Sequence, residues 1–151
     1  MPSLFRRLTH QALEKVSFQG EILDLGGSKT SEYMQMVKKT AKSVTVLNID
    51  SGTQPDIFAD LEQSLPCADQ SFDTVLAMNL FEHIYHYQQL LDESCRVLRP
   101  QGVFVMVVPF LFQIHPSPND YFRYTRQTLL RLLPEHGFEE VEIREIGTGL
   151  C

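Results

Sequence analysis

The chain has little of what a secreted, metal-finger or nucleic-acid-binding protein needs. Its three cysteines, Cys67, Cys95 and Cys151, are odd in number and far apart, with no CxxC pair. Neither a disulfide framework nor zinc-finger spacing is present, so they read as reduced thiols. Basic residues are in deficit, with 13 Lys and Arg against 19 Asp and Glu leaving a formal charge of −6. Residues 1–75 carry 7 basic and 10 acidic side chains and residues 76–151 carry 6 and 9, so neither half is built to grip a phosphate backbone. General nucleic-acid binding is therefore not expected. The longest apolar stretch, 103–112, is broken by Pro109 and falls well short of the ~20 residues a membrane span requires. Near the start, Leu4, Phe5, Leu8, Ala12, Leu13 and Val16 recur at helical spacing rather than as the apolar block of a signal peptide. A cytoplasmic location is expected. Internal repeats and low-complexity segments are missing, and no GxGxxG occurs, which sets a nicotinamide dehydrogenase aside.

What is there is ordinary globular composition: 151 residues, 43% hydrophobic and 21% charged, the size of one domain. Four segments read as buried strands. Residues 21–25 (EILDL) end at Gly26-Gly27, and 43–49 (SVTVLNI) are rich in β-branched side chains and end at Asp50. Residues 72–78 (FDTVLAM) and 103–108 (VFVMVV) are near-continuous apolar runs, the pattern of a parallel sheet covered on both faces. Helices are predicted between them at 31–42 and 87–98, the second with Arg96 and Arg99 in its last turn and Pro100 and Gly102 as stop signals. Thr125 caps a further predicted helix carrying Leu129, Leu130, Leu132 and Leu133, and a last strand is predicted at 138–146. This alternation predicts an α/β fold: a Rossmann-like, doubly wound, mostly parallel sheet with helices on both faces and the first strand near its middle.

Such sheets bind ligands beyond the carboxyl ends of their strands, which directs attention to residues 24–28, Asp50 and Asn79. Small residues after Asp24 let a ligand approach backbone N–H groups, and Asp50, 26 residues on, stands where a carboxylate accepts from ribose hydroxyls. A plain strand-to-helix turn and a solvated strand-end aspartate are the ordinary alternatives for these two features.

The segment DIFADLEQSLPCADQSFDTVLAMNLFEHI resembles the class I S-adenosylmethionine-dependent methyltransferases, of the methyltransferase type 11 kind. The matching pattern is Asp60, then Leu65-Pro66, Asp69, Ser71-Phe72-Asp73, an apolar strand and Phe81-Glu82-His83, continuing into RVLRPQGVFVMVVP. The resemblance runs from about Ile22 to Ile146. It implies that S-adenosylmethionine is the cofactor, with Asp24, Gly26 and Gly27 around its methionine end, and Asp50 on the ribose hydroxyls. Asp60 would accept the adenine amino group, Leu61 lie beside the ring and Asn79 line the sulfonium portion. One departure is Ser28 and Thr30, which stand where the family has further glycines and are expected to crowd the cofactor or redirect the loop. A second is length: after Ile146 only five residues remain, so the family's C-terminal hairpin strand is expected to be missing.

Methyl transfer from a sulfonium is an in-line displacement that asks mainly for positioning and water exclusion. Should the acceptor be a hydroxyl, His83, His86, His115 and Asp120 are the candidate bases. His83 and His86 have i, i+3 spacing, but no third ligand is placed beside them and no metal is expected. Tyr121, Phe122, Arg123, Tyr124 and Arg126 form an aromatic and basic cluster, in which Tyr121, Arg123 and Tyr124 are the candidate substrate contacts; a lid packed on the core with exposed arginines is the ordinary alternative. The sequence thus predicts one domain over 1–151, with an N-terminal helix (1–20), a cofactor-binding core (21–109) and a lid with the last strand (110–151). The expected function is methyl transfer to a small-molecule or glycan-like acceptor. The alternative is a catalytically idle module of the same fold, used for binding or scaffolding. An open sheet edge left by the missing hairpin would favour a homo-oligomer.

Overall fold

A computed structural model describes residues 4–116 and 118–147; Cys151 lies outside the described residues. Helix α1 (Leu4–Leu13) leads into strand β1 (Gly20–Leu25), short helix α2 (Met34–Val37) and strand β2 (Ala41–Asn48). Then come β3 (Ile57–Phe58), β4 (Phe72–Met78), α3 (Tyr87–Val97), β5 (Leu98–Val107) and α4 (Arg126–Glu135). The five strands form one sheet in the order β3-β2-β1-β4-β5, with every pairing parallel. The predicted Rossmann-like α/β sheet with β1 at its centre is what the chain forms.

Alternation along β1 sends its side chains to two cores. Leu23 and Leu25 pack with Val75, Ala77, Leu90, Leu91 and Leu129 on the face covered by α3 and α4. Ile22 packs with Leu13, Val37 and Leu76 on the face covered by α1 and α2. Each fully buried aliphatic side chain is worth about 1.5–3 kcal/mol, so these two layers hold the sheet flat against its helices. Helix α4 begins where expected, because the Thr125 hydroxyl accepts the Thr128 N–H at 3.1 Å.

Two predicted elements are corrected. The helix expected at 31–42 is regular only over Met34–Val37. Lys39 and Thr40 donate back to Met36 and Val37 in three-residue steps, and the Thr40 hydroxyl bonds the Phe18 carbonyl at 2.5 Å, so the turn tightens and feeds directly into β2. The strand expected at 138–146 does not form. A strand needs a ladder, and here the Ile143 carbonyl accepts from the Arg126 guanidinium at 3.0 Å while the Phe138 ring stacks on Phe104 at 4.9 Å. This tail covers β5 as an irregular layer, and among the described residues no strand pairs with the outer edge of β5. Strand β3, two residues long, is too short to show a period in the sequence.

The long sequence motif between β3 and β5 is largely structural. Arg96 binds Glu93 through Nη2 at 2.7 Å and Asp69 through Nη1 at 2.6 Å. It also donates to the carbonyls of Leu65 and Cys67, which pins the 65–69 loop onto α3. Arg99 donates to Asp73 at 2.8 Å and Glu21 at 2.6 Å, locking β5 to the starts of β4 and β1.

Candidate functional site

At the carboxyl end of β1 the Asp24 side chain is fully buried, and the Tyr33 hydroxyl lies 3.2 and 2.9 Å from its two oxygens. Burial pushes the Asp24 carboxyl up to about 7, with the Tyr33 hydrogen bond drawing it partly back. This explains the next residues. Gly26 has φ +70°, which L side chains rarely adopt, and is exposed. Gly27 is buried, and a Cβ there would lie 1.9 Å from Asp24 Oδ2 and 2.6 Å from the Tyr33 hydroxyl. Asn48, which sequence reading missed, ties this loop to the next by donating to the Gly27 carbonyl at 2.8 Å and accepting from the Asp50 N–H at 3.0 Å. Its signal was a polar residue closing an otherwise apolar strand two places before Asp50.

Ser28 and Thr30 do not occupy left-handed backbone, which removes the strain argument against a side chain at either place. Their hydroxyls lie 3.0 Å apart, and Ser28 Oγ accepts the Thr30 N–H while Ser31 Oγ accepts the Ser28 N–H. The loop is braced by its own side chains.

Asp50 and Asp60 are exposed at the ends of β2 and β3. In each, Oδ1 fixes the local turn, by accepting from Gly52 N at 2.8 Å and from Glu62 N at 2.9 Å. Oδ2 of each accepts nothing among the described residues. Large apolar side chains stand exposed in the same region, Ile49 after β2 and Phe58 on β3. Leu61 is only 4% exposed and belongs to the main core, so its side chain packs inward. Asn79 follows β4 with φ 50°, a left-handed position that Asn tolerates well, and is exposed.

The segment beyond Asn79 meets the lid. His83 Nδ1 lies 2.5 Å from the Asn119 carbonyl, and its ring stands 5.2 Å from that of His115. Glu82 is fully buried beside them, with Oε1 3.7 Å from His83 Nε2, and burial raises its carboxyl above the ordinary range. His86 is apart from this group, against Tyr85 and Glu62. Asp120 is gripped by both Arg123 nitrogens at 2.5 and 2.8 Å, which holds its carboxyl well below the usual range and makes it a poor base. The same pairing commits Arg123, which also donates to the carbonyls of Phe112, Gln113 and Phe122, so it fastens the lid rather than standing open to an anion. Tyr124 is buried and its hydroxyl donates to the Phe81 carbonyl at 3.1 Å. Of the aromatic trio only Tyr121 is open, edge-on to the exposed Tyr85 at 5.2 Å.

A parallel sheet whose order reverses between β1 and β4, with a buried acid ending its central strand and exposed acids after the next two, defines a Rossmann-like ligand-binding domain. A family profile described as methyltransferase domain matches residues 23–106, more than half of the chain. The chain belongs to that family, among the class I S-adenosylmethionine-dependent methyltransferases. It is 28% identical over 166 residues to a protein of Mycolicibacterium smegmatis described as a probable S-adenosylmethionine-dependent methyltransferase, covering 98% of this chain and 62% of that one. It is 29% identical over 113 residues to methyltransferase GfsG of Streptomyces halstedii, covering 64% of this chain and 41% of that one. The chain thus spans less than two thirds of the length of both relatives. In fold it is similar to the 1,6-didemethyltoxoflavin-N1-methyltransferase of Burkholderia thailandensis, solved with bound 1,6-didemethyltoxoflavin and S-adenosylhomocysteine: TM-score 0.73, 16% identity, covering 96% of this chain and 72% of that one. No helix among the described residues is long and apolar enough to cross a membrane.

Proposed function

We propose that this chain transfers a methyl group from S-adenosylmethionine to a small-molecule or glycan-like acceptor at the carboxyl edge of the sheet. The observation that carries the reading is the pair Asp50 and Asp60, each held rigid through Oδ1 and each keeping Oδ2 open. Fixed acceptors of this kind suit ribose hydroxyls and an adenine amino group, with the exposed side chains of Ile49 and Phe58 as apolar surface for the base. Asp24, with the bare backbone of Gly26 and Gly27, suits the amino-acid end, and Asn79 lies where the sulfonium portion would pass. Leu61 contributes through its backbone, since its side chain is committed to the core.

The cofactor supplies a methyl carbon activated by a sulfonium, and this chain's residues orient it and exclude water. The lid is suited to that second task, because Phe110, Leu111, Phe112 and Ile114 are exposed apolar residues directly after β5. Of the candidate bases, His83 and His115 stand together under the lid, whereas His86 lies apart against Glu62 and Asp120 is held by Arg123. The edge of β5, unpaired among the described residues and with Val103 exposed on it, supports self-association, and the thiols Cys67 and Cys95, neither of them in a disulfide, suit a reducing cytoplasm.

A second reading, an idle domain kept for binding, is favoured by the self-braced Ser28–Thr30 loop. Calorimetric titration with S-adenosylmethionine and S-adenosylhomocysteine separates the two. Binding of one equivalent of each supports the methyltransferase; a folded chain that takes up neither would leave only the second reading.

A further inference from the structure

Among the described residues, Glu82 is a buried charged side chain that the reading above does not use. It is 0% exposed, and neither Oε1 nor Oε2 has a hydrogen-bond partner among the described residues. A carboxylate taken out of water without donors is costly, and such groups are retained when a cation or a proton neutralises them. What surrounds it is specific. One potential ligand atom each from Glu82, His83 and His115 lie within 4.8 Å of one another.

Both histidines are arranged as metal-binding histidines are. His83 Nδ1 lies against the Asn119 carbonyl at 2.5 Å, which requires the proton on Nδ1 and leaves the lone pair on Nε2, the nitrogen 3.7 Å from Glu82 Oε1. His115 Nδ1 lies 3.2 Å from the Gln113 carbonyl and 3.4 Å from Asp120 Oδ2, which favours the same tautomer. Asp120 is itself fixed by Arg123. A carbonyl or carboxylate on the far nitrogen is what orients an imidazole toward an ion and raises its basicity.

We propose that Glu82, His83 and His115 form a site for one divalent transition-metal ion, zinc best matching their chemistry, at the end of β4 beside the place of the methyl acceptor. Two imidazoles and one carboxylate are the donor set of open, three-ligand zinc sites, in which a fourth position stays free for water or a substrate oxygen. Ligands about 2.1 Å from a tetrahedral ion stand roughly 3.4 Å apart, so atoms that lie within 4.8 Å of one another need close by no more than about 1.4 Å. Sequence spacing hides the site because it joins adjacent residues to a histidine 32 positions on, brought over by the lid, and not the His83–His86 pair. The ion would polarise an acceptor oxygen; that role rests on the proposed methyl transfer, but the site does not.

The test uses the untagged chain, stripped with chelator, titrated with zinc by calorimetry and with cobalt(II) by visible absorption. One equivalent bound at micromolar affinity or tighter is expected, with cobalt giving the visible bands of a low-coordinate nitrogen and oxygen site. Both His115→Ala, on the lid, and the isosteric Glu82→Gln should weaken binding at least tenfold while the circular dichroism spectrum is kept. A folded chain that binds neither ion overturns the proposal, as does affinity unchanged in both variants. S-adenosylhomocysteine binding is measured on the same samples. If it binds and zinc does not, the metal site falls and the methyltransferase stands; if zinc binds and it does not, the reverse holds.

Discussion

Tyr33 reaches back from the turn before α2 to donate to the buried carboxyl of Asp24, 3.2 and 2.9 Å from its oxygens. With Asp24 pushed up to about 7 by burial, the folded chain keeps a proton that the unfolded chain, with an aspartate near ~3.9, has already lost. The stabilisation is therefore complete below about pH 4 and is lost as pH rises through about 7, with a ceiling of ~4 kcal/mol at ~1.4 kcal/mol per unit. Asp24→Asn still accepts from Tyr33 and has no proton to lose. Thermal melts between pH 5 and pH 8 should fall for the parent and stay flatter for the variant; parallel curves would show that Asp24 does not titrate there.

Gly27→Ala is expected to be severe although the change is one methyl group. The new carbon would stand 1.9 Å from Asp24 Oδ2, and both groups are buried, so either the strand end or the Asp24–Tyr33 pair must move. Overpacking of this kind costs about 1–3 kcal/mol. Urea unfolding should show the loss, and S-adenosylhomocysteine binding should weaken with it. A variant as stable as the parent would mean that the loop shifts freely.

Asp50 has two separable jobs. Asp50→Ala removes the acceptor for Gly52 N and the proposed acceptor for ribose, while Asp50→Asn keeps the first and removes the charge. A charge-assisted bond is worth about 1.5–3 kcal/mol, or roughly ten- to a hundredfold in affinity. Calorimetry should find that loss for S-adenosylhomocysteine in both variants. Full affinity in Asp50→Asn would reduce Asp50 to a turn residue.

Sequence reading succeeded where local chemistry decides the outcome. Strands β1, β2, β4 and β5 announce themselves as apolar runs, and Thr125 caps α4 with its own hydroxyl. It failed where distant partners decide. Thr40 ends a helix because it bonds Phe18, and residues 138–146 alternate like a strand yet have no ladder to join. The strand-end acids were legible because the fold class says where ligands bind. The commitment of Arg123 to Asp120, the burial of Tyr124 and the isolation of Glu82 were not, since each depends on how the lid folds over the end of β4.

Replacing Arg96 should unfold more than it inactivates. Its guanidinium joins Glu93, Asp69 and two carbonyls, and the Glu93 carboxylate it meets is only 13% exposed. Hydrogen bonds to charged groups are worth about 1.5–3 kcal/mol, so Arg96→Met should cost at least that much and strand Glu93 against Leu65 N and Ser64. The Arg96 hydrogen bonds hold the Glu93 carboxyl down to about 2, below the ~4.3 of an unfolded glutamate. That stabilisation is present above about pH 4 and is lost as pH falls toward 2. The parent should therefore lose stability across that acid window more steeply than Glu93→Gln, in which no proton is taken up. Equal acid sensitivity in the two chains, measured by circular dichroism, would place the acid-labile contact elsewhere and reduce Arg96 to a packing residue of α3.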